Sequence, residues 1–226
     1  MAEYQKINTL FKRDSKNIII PSQFTLPEFD YLKNNIWECT EKIDGTNIRI
    51  ELLFEEDIVT MQFKGRTEAA NIPAHLVNKL YEIFGGVTWR EVFPTMKTGN
   101  ITIYGEGYGA KIQKGGGNYI SNGVNFILFD VKVGEWWLNR ASLEEIAEKL
   151  DIQVVPLIGY FTIDDAIKIV KKGFKSHISE NLDFIAEGLV LKPIVELHDR
   201  KGNRIITKLK TKDFEQYEKA KIVCRQ

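Results

Sequence analysis

The sequence predicts an α+β fold built largely on antiparallel sheets, and three observations carry that reading. Apolar runs of period two recur at short intervals; helical periodicity is inserted irregularly between them, not once per strand pair; and no linker rich in Pro, Gly and Ser, internal repeat or low-complexity tract divides the 226 residues. At 26.0 kDa the chain is long enough to bury a sizeable core, and one domain is the expected organisation.

The strands are read first. Ile48, Ile50, Leu52 and Phe54 alternate with Asn47, Arg49, Glu51 and Leu53, the pattern of a strand with one buried face. Comparable runs fall at 36–43, 58–63, 100–106, 124–131, 184–193 and 204–210. Three helices carry terminal signals: one follows Pro73 through His75 to Phe84 and stops at Gly85-Gly86, one starts at Ser142 with Glu145 completing a capping box, and one runs from Thr162 to Gly173. Asp199 to Asn203 reads as a hairpin turn.

Composition excludes several classes. Charged residues at 27% and hydrophobic residues at 43% are globular values, against a disordered or fibrous chain. No apolar run approaches the ~20 residues of a membrane helix, and the N-terminus MAEYQKINTL is too polar for a signal peptide, so a cytoplasmic protein with no membrane partner is expected. Cys39 and Cys224 stand at no zinc or redox spacing and are read as reduced thiols. The formal net charge is zero, yet residues 192–226 hold ten Lys/Arg against five Asp/Glu, a basic end able to meet phosphate or simply to face water.

Four polar segments sit at strand ends. Glu41-Lys42-Ile43-Asp44-Gly45-Thr46-Asn47 places a lysine at a turn, where a desolvated or cation-flanked amine is a nucleophile; the same residues also make an ordinary Asp-Gly turn. Ile103-Tyr104-Gly105-Glu106-Gly107-Tyr108-Gly109 opens a strand end around Glu106, suited to a ribose hydroxyl or a metal. Ala186-Glu187-Gly188-Leu189-Val190-Leu191-Lys192 sets a carboxylate at the mouth of an apolar strand, the donor type that holds Mg²⁺ together with phosphates. In Ile206-Thr207-Lys208-Leu209-Lys210 the period of two puts both lysines on one face, where an anion such as a triphosphate relieves their repulsion; a lysine-guarded edge has the same pattern. Each has a plain structural alternative, and the argument rests on their order.

Read together as KIDG, GEGYG, EGLVLK and KLK, the segments resemble motifs I, III, IV and V of the covalent nucleotidyltransferases, the nucleic acid ligases and capping enzymes. Lys64-Gly65-Arg66-Thr67 is similar to motif Ia and Asn125-Phe126-Ile127-Leu128-Phe129-Asp130 to motif IIIa, and EKIDGTN resembles the RNA ligase 2 and editing-ligase branch. The resemblance implies the nucleotidyltransferase fold, ATP-grasp-like with antiparallel sheets flanked by helices. It also implies an ATP-dependent RNA ligase active in RNA repair that uses Mg²⁺ or Mn²⁺. Lys42 would take AMP from ATP as lysyl-AMP, pass it to a 5′-phosphate, and the end would be joined to a 3′-OH.

The resemblance further implies a role for each matched residue. Glu41 would contact adenine, with Phe129, or else Phe126, stacking on it; Arg66 and Glu106 would meet ribose or the 5′-phosphate. Glu187, and Glu106 as a second candidate, would bind the metal; Lys208 and Lys210 would hold the α-phosphate; Asn47 would act at the nucleic acid end. Contacts to the 2′-OH are expected from Asn47, Arg49 or the glycine-rich loop Lys111–Gly117, read as a flap or a flexible loop. His75, His177 and His198 have no ligand or triad spacing. Only 16 residues follow Lys210 and motif VI is absent, so one catalytic domain over 1–226 is expected, without an OB-fold or helical module. The expected partners are RNA ends, a nicked duplex among the candidate substrates, and an accessory substrate-binding protein. A minimal DNA ligase, a GTP-using capping guanylyltransferase and an inactive nucleic-acid-binding relative stay open as alternatives.

Overall fold

The computed structural model describes residues 3–223, so Cys224 lies outside the described residues. The chain forms two compact units: residues 44–155 with the chain up to Tyr4 and the segment 179–181, and residues 5–43 with 156–178 and the chain from 182 onward. The α+β reading holds in each, a mostly antiparallel sheet with helices against it. No described helix is long and apolar enough to cross a membrane.

In the first unit the sheet runs in the order Gln153–Val154, Val124–Val133, Gly99–Gly109, Thr46–Phe54, Val59–Gly65, with Trp136–Trp137 folded back on Val124–Val133. All pairings are antiparallel except that of Gln153–Val154. One face presents Ile48, Ile50, Leu52, Ile101, Ile103, Phe126 and Leu128 to the helices Ala74–Phe84 and Arg140–Leu150. Leu76, Leu80 and Phe84, four residues apart, make the buried stripe of the first helix.

Two readings are corrected here. The second helix starts at Arg140, a turn's half earlier than expected, because the Asn139 side chain accepts the Ser142 N–H at 3.0 Å; Glu145 instead pairs with Lys149. The strand Thr46–Phe54 buries both faces along most of its length. Arg49 is 0% and Glu51 3% exposed, and they pair at 2.9 Å. Period-two alternation marks the apolar face only; a charged face that finds its own partners is invisible to it. Arg49 also donates to the Gly65 carbonyl and to Glu68, so it braces neighbouring strands and is not the nucleic acid contact expected of it.

The second unit orders its sheet as Asn8–Thr9, Thr207–Lys210, Gly188–Pro193, Trp37–Glu41, Leu157–Phe161, antiparallel except for Asn8–Thr9. Trp37, Cys39, Leu189, Leu191 and Leu209 face a core closed by Ile163 and Val170 of the helix Ile163–Lys172, Phe214 of the helix Thr211–Val223, and Phe11 and Ile19 of a two-stranded hairpin. Thr162 caps its helix through Asp165 N–H, with Asp164 and Asp165 in the first turn and Lys171 and Lys172 in the last, each on the favourable end of the helix dipole. Cys39 is a buried free thiol pushed up to about 12 by burial. The expected strand at 184–193 begins only at Gly188, because Ile185 and Ala186 pair with Lys175 and Phe174 instead. That at 204–210 begins at Thr207, since Arg204 and Ile205 close the Asp199–Asn203 hairpin onto His198 and Leu197.

Phe126, one of the two aromatics weighed for adenine, is 1% exposed, with its ring against Phe84 at 5.3 Å and against the backbone of Gly105. Phe126→Ala is therefore expected to destabilise the protein by about 3–5 kcal/mol, the range for a large aromatic removed from a core. Denaturant titration checks this; a change under about 1 kcal/mol would take Phe126 out of the core.

Candidate active site

The second unit assembles the lysine cluster. Lys42 follows the strand Trp37–Glu41, and its N–H donates to the Gly188 carbonyl at 2.9 Å, carrying the ladder one residue further. Gly188 has φ +151, and a Cβ there would overlap the Leu209 carbonyl, so only glycine lets the strands close at this point. That closure puts Glu187 between two ammonium groups: Lys42 Nζ lies 2.6 Å from Oε2 and Lys210 Nζ 2.7 Å from Oε1. The register Val190↔Lys208 and Gly188↔Lys210 sets the two motif lysines on one face, as their spacing predicts.

Burial alone would raise the Glu187 carboxyl, but Lys42 and Lys210 outweigh it and hold the carboxyl below its ordinary 4.5. A depressed carboxyl contributes stability above its unfolded value and loses it only as pH falls through the depressed one, so the bridge persists through the ordinary carboxylate range. Glu187 thus meets two ammonium groups with one carboxylate, an arrangement suited to phosphates.

Glu41 is buried and faces the other way. Its Oε1 accepts from Ser176 Oγ at 2.5 Å and its Oε2 from the His177 N–H at 2.8 Å. Burial raises this carboxyl, and the two hydrogen bonds offset part of the rise.

The first unit holds the other candidates. Asn47, Glu106 and Ile127 are opposite one another across three strands, so Asn47 and Glu106 are neighbours on the polar sheet face. Asn47 Oδ1 is buried with no hydrogen-bond partner among the described residues, an acceptor without a donor. Arg66 is exposed just past the strand end at Gly65. Phe129 is the extra residue of a bulge between the pairs Tyr104↔Asp130 and Gly105↔Leu128, which turns its ring against Tyr4, 5.1 Å between centroids. Tyr4 also bonds Asp130 at 2.5 Å and packs on Tyr104 and Trp137.

The turn after the nucleophile candidate is pinned by groups that no local sequence pattern marks. Tyr119, fully buried, receives the Asp44 N–H on its hydroxyl at 3.1 Å, and Gln113 Nε2 donates to the Gly45 carbonyl at 2.9 Å. A Cβ on Gly45 would overlap the Gly107 carbonyl and press on Glu106 Cγ, which is why glycine stands there. The glycine-rich loop is thus tied down at Gln113 and Tyr119 while Lys111 and Lys114 stay exposed. Ser176, His177, Gln113 and Tyr119 lie 68 to 136 positions from the residues they hold, and no local pattern announces them.

No group of three or more His, Cys, Asp or Glu among the described residues is arranged to hold a metal. Glu187 as a lone carboxylate beside lysines fits a divalent ion that arrives with phosphates, the usual arrangement for Mg²⁺.

Comparison with known proteins defines the class first. The fold is that of solved RNA ligases: the Naegleria gruberi RNA ligase with PPi superposes with a TM-score of 0.63 at 18% identity, covering 97% of this chain and 58% of that one. A mutant of that enzyme with ATP and Mn gives 0.63 at 16% identity with the same coverage, and an apo mutant gives 0.61 at 18%, covering 96% and 61%. This chain spans less than two thirds of the length of those structures. No curated protein sequence matches it. The sequence model of the RNA ligase family matches residues 35–210, and the chain belongs to that family.

Tyr119→Phe removes only the hydroxyl that receives Asp44 N–H. It is expected to cost about 1–3 kcal/mol, the penalty of a part-buried donor left without its acceptor, and to speed hydrogen exchange at the Asp44 amide. Unchanged exchange at Asp44 would remove the latch.

Proposed function

We propose that this protein is an ATP-dependent RNA ligase that works through a lysyl-AMP intermediate on Lys42. The observation that carries the reading is the Glu187 carboxylate held between Lys42 and Lys210, with Lys208 on the same face: a primary amine, a metal-type carboxylate and two further cations gathered where a triphosphate would be neutralised. The family match and the ATP and Mn present with the Naegleria enzyme support the same chemistry.

In this reading Lys42 Nζ, having given up its proton, attacks the α-phosphorus. The N–P bond forms as the bond to the bridging oxygen breaks, and pyrophosphate leaves with that electron pair. Lys208 and Lys210 hold the α-phosphate oxygens and offset their growing charge. Glu187 holds the divalent ion, Mg²⁺ or Mn²⁺, which when bound supplies charge neutralisation along the phosphates. Glu41 serves the adenine side by fixing the Ser176–His177 backbone, and Phe129 is assigned to the adenine face. In the second step a 5′-phosphate oxygen of RNA attacks the same phosphorus, the N–P bond breaks and Lys42 regains a proton. A 3′-hydroxyl then attacks the activated 5′-phosphorus and AMP departs. Arg66, Glu106 and Asn47 are assigned to the RNA end and ribose, Glu106 also as a second metal candidate; Asn47 Oδ1 offers a ready acceptor for a ribose hydroxyl.

Incubation with labelled ATP or GTP and a denaturing gel tests the first step. A covalent AMP adduct is expected with ATP and not GTP, absent in Lys42→Ala and in Lys42→Arg, because guanidinium stays protonated. The adduct should require a divalent ion and fall by about a hundredfold or more in Glu187→Ala. A full-strength adduct in Lys42→Ala would end the assignment.

The RNA preference is checked on matched RNA and DNA nicks at two salt concentrations. RNA sealing should exceed DNA sealing and weaken with salt, and Asn47→Ala should impair joining more than self-adenylylation. Equal or better DNA sealing would overturn the RNA assignment and leave the adenylyl transfer standing.

A further inference from the structure

At the end of the five-stranded sheet remote from Lys42, the second unit carries a groove between the segment Gln5–Asn8, the short helix Pro27–Tyr31 and the hairpin Leu197–Ile205. Two adjoining hollows of about 370 and 590 Å³ share Pro27, Glu28 and Ile205, and their size is that of small-ligand clefts. One hollow is apolar, lined by Leu32, Leu197 and Ile205 beside Tyr31, which is 87% exposed. The other is lined by Lys6, Arg200 and Lys201, all exposed. None of these three has a carboxylate within ion-pair distance among the described residues, whereas Lys33, Lys149, Lys168 and Lys175 each hold one.

The groove is built, not a chance gap in loops. Gln5 clamps the hairpin by donating to the Arg204 carbonyl at 2.9 Å and accepting its N–H at 2.8 Å. The Arg204 guanidinium is spent on Glu196, and the Asp199 carboxylate on Lys201 N–H and on Asn203. Glu28 and Asp199 are the two carboxylates that line this hollow with the three cations, and Glu28 is the one outside the hairpin.

Unpaired cations beside an exposed aromatic ring in a concave surface are what a single nucleic acid strand uses: phosphates on the charges, a base on the ring. We propose that this groove binds a single RNA strand away from the end being joined, with a base on Tyr31 and phosphates on Lys6, Arg200 and Lys201. The strand Gly188–Pro193 separates the groove from Glu187 by roughly 20 Å at ~3.3 Å per residue, so the bound stretch lies several nucleotides from the reacting end. The RNA as occupant rests on the RNA ligase reading.

Fluorescence anisotropy with a labelled single-stranded RNA, at two salt concentrations and alongside the ATP adduct assay, tests it. Tyr31→Ala should weaken binding about tenfold through lost stacking. Lys6→Ser, Arg200→Ser and Lys201→Ser together should lower the slope of log affinity against log salt by roughly 2. Glu28→Gln should tighten binding, and none of these variants should change the AMP adduct. RNA affinity and salt slope unmoved in the triple variant would overturn the proposal, as would weaker binding in Glu28→Gln. A Tyr31→Ala chain that changes its sedimentation mass at unchanged RNA affinity would give the groove to a second copy and likewise overturn it. A wild-type chain with no AMP adduct whose RNA affinity still follows the variants would defeat the ligase reading and uphold the groove.

Discussion

A single carboxylate organises the lysine cluster of the second unit. Glu187 is partly buried, and that desolvation by itself favours its neutral form; two ammonium groups at 2.6 and 2.7 Å reverse the preference. The reversal depends on strand closure at Gly188, where the absence of a Cβ lets the backbone pass the Leu209 carbonyl. The bridge also restrains the chemistry, because an amine in an ion pair keeps its proton. In the proposed mechanism Lys42 would be released from this bridge when Glu187 takes another cation, which would tie the reactivity of the lysine to metal and phosphate binding.

The two units handle buried polarity differently. In the second, charge falls into separate pairs and clusters, Arg13 with Asp213, Arg204 with Glu196, and Glu187 with its two lysines. In the first, it is spread across a whole sheet face, where Arg49 joins Glu51, Glu68 and the Gly65 carbonyl, and Lys64 reaches both acids. Losing Arg49 or Glu51 leaves its buried partner uncompensated, at about 3–5 kcal/mol. Within this satisfied network the Asn47 acceptor stands out, since it lies on the same face and is left unmatched.

What the sequence made legible follows from the range of the signals. Lys42, Glu187 and Lys210, which the structure brings together, each sit in a short segment with its own order of glycines, carboxylates and lysines, and Thr162 and Gly85 mark helix ends through local capping. The start at Ser142 was misplaced because Asn139 is the equally good cap three residues earlier. The burial of Arg49 was missed because periodicity sees only apolar residues. The strands Asn8–Thr9 and Phe11–Arg13 are too short to show a period at all. The holding of Glu41 by Ser176 and His177, and of Asp44 and Gly45 by Tyr119 and Gln113, is long-range, and no window of sequence contains both partners.

The spacing of the lysine cluster along the chain bears on its biosynthesis. Glu187 follows Lys42 by 145 residues, and Lys210 comes later still. The strand that carries Lys42 cannot take its place in the sheet until Gly188–Pro193 has left the ribosome, nor can the sheet be completed until Thr207–Lys210 pairs with it. A chain cut short in translation therefore holds the amine without the carboxylate and cations that surround it. The Lys42–Glu187–Lys210 cluster forms only once Lys210 has been made, and products cut before Glu187 lack it.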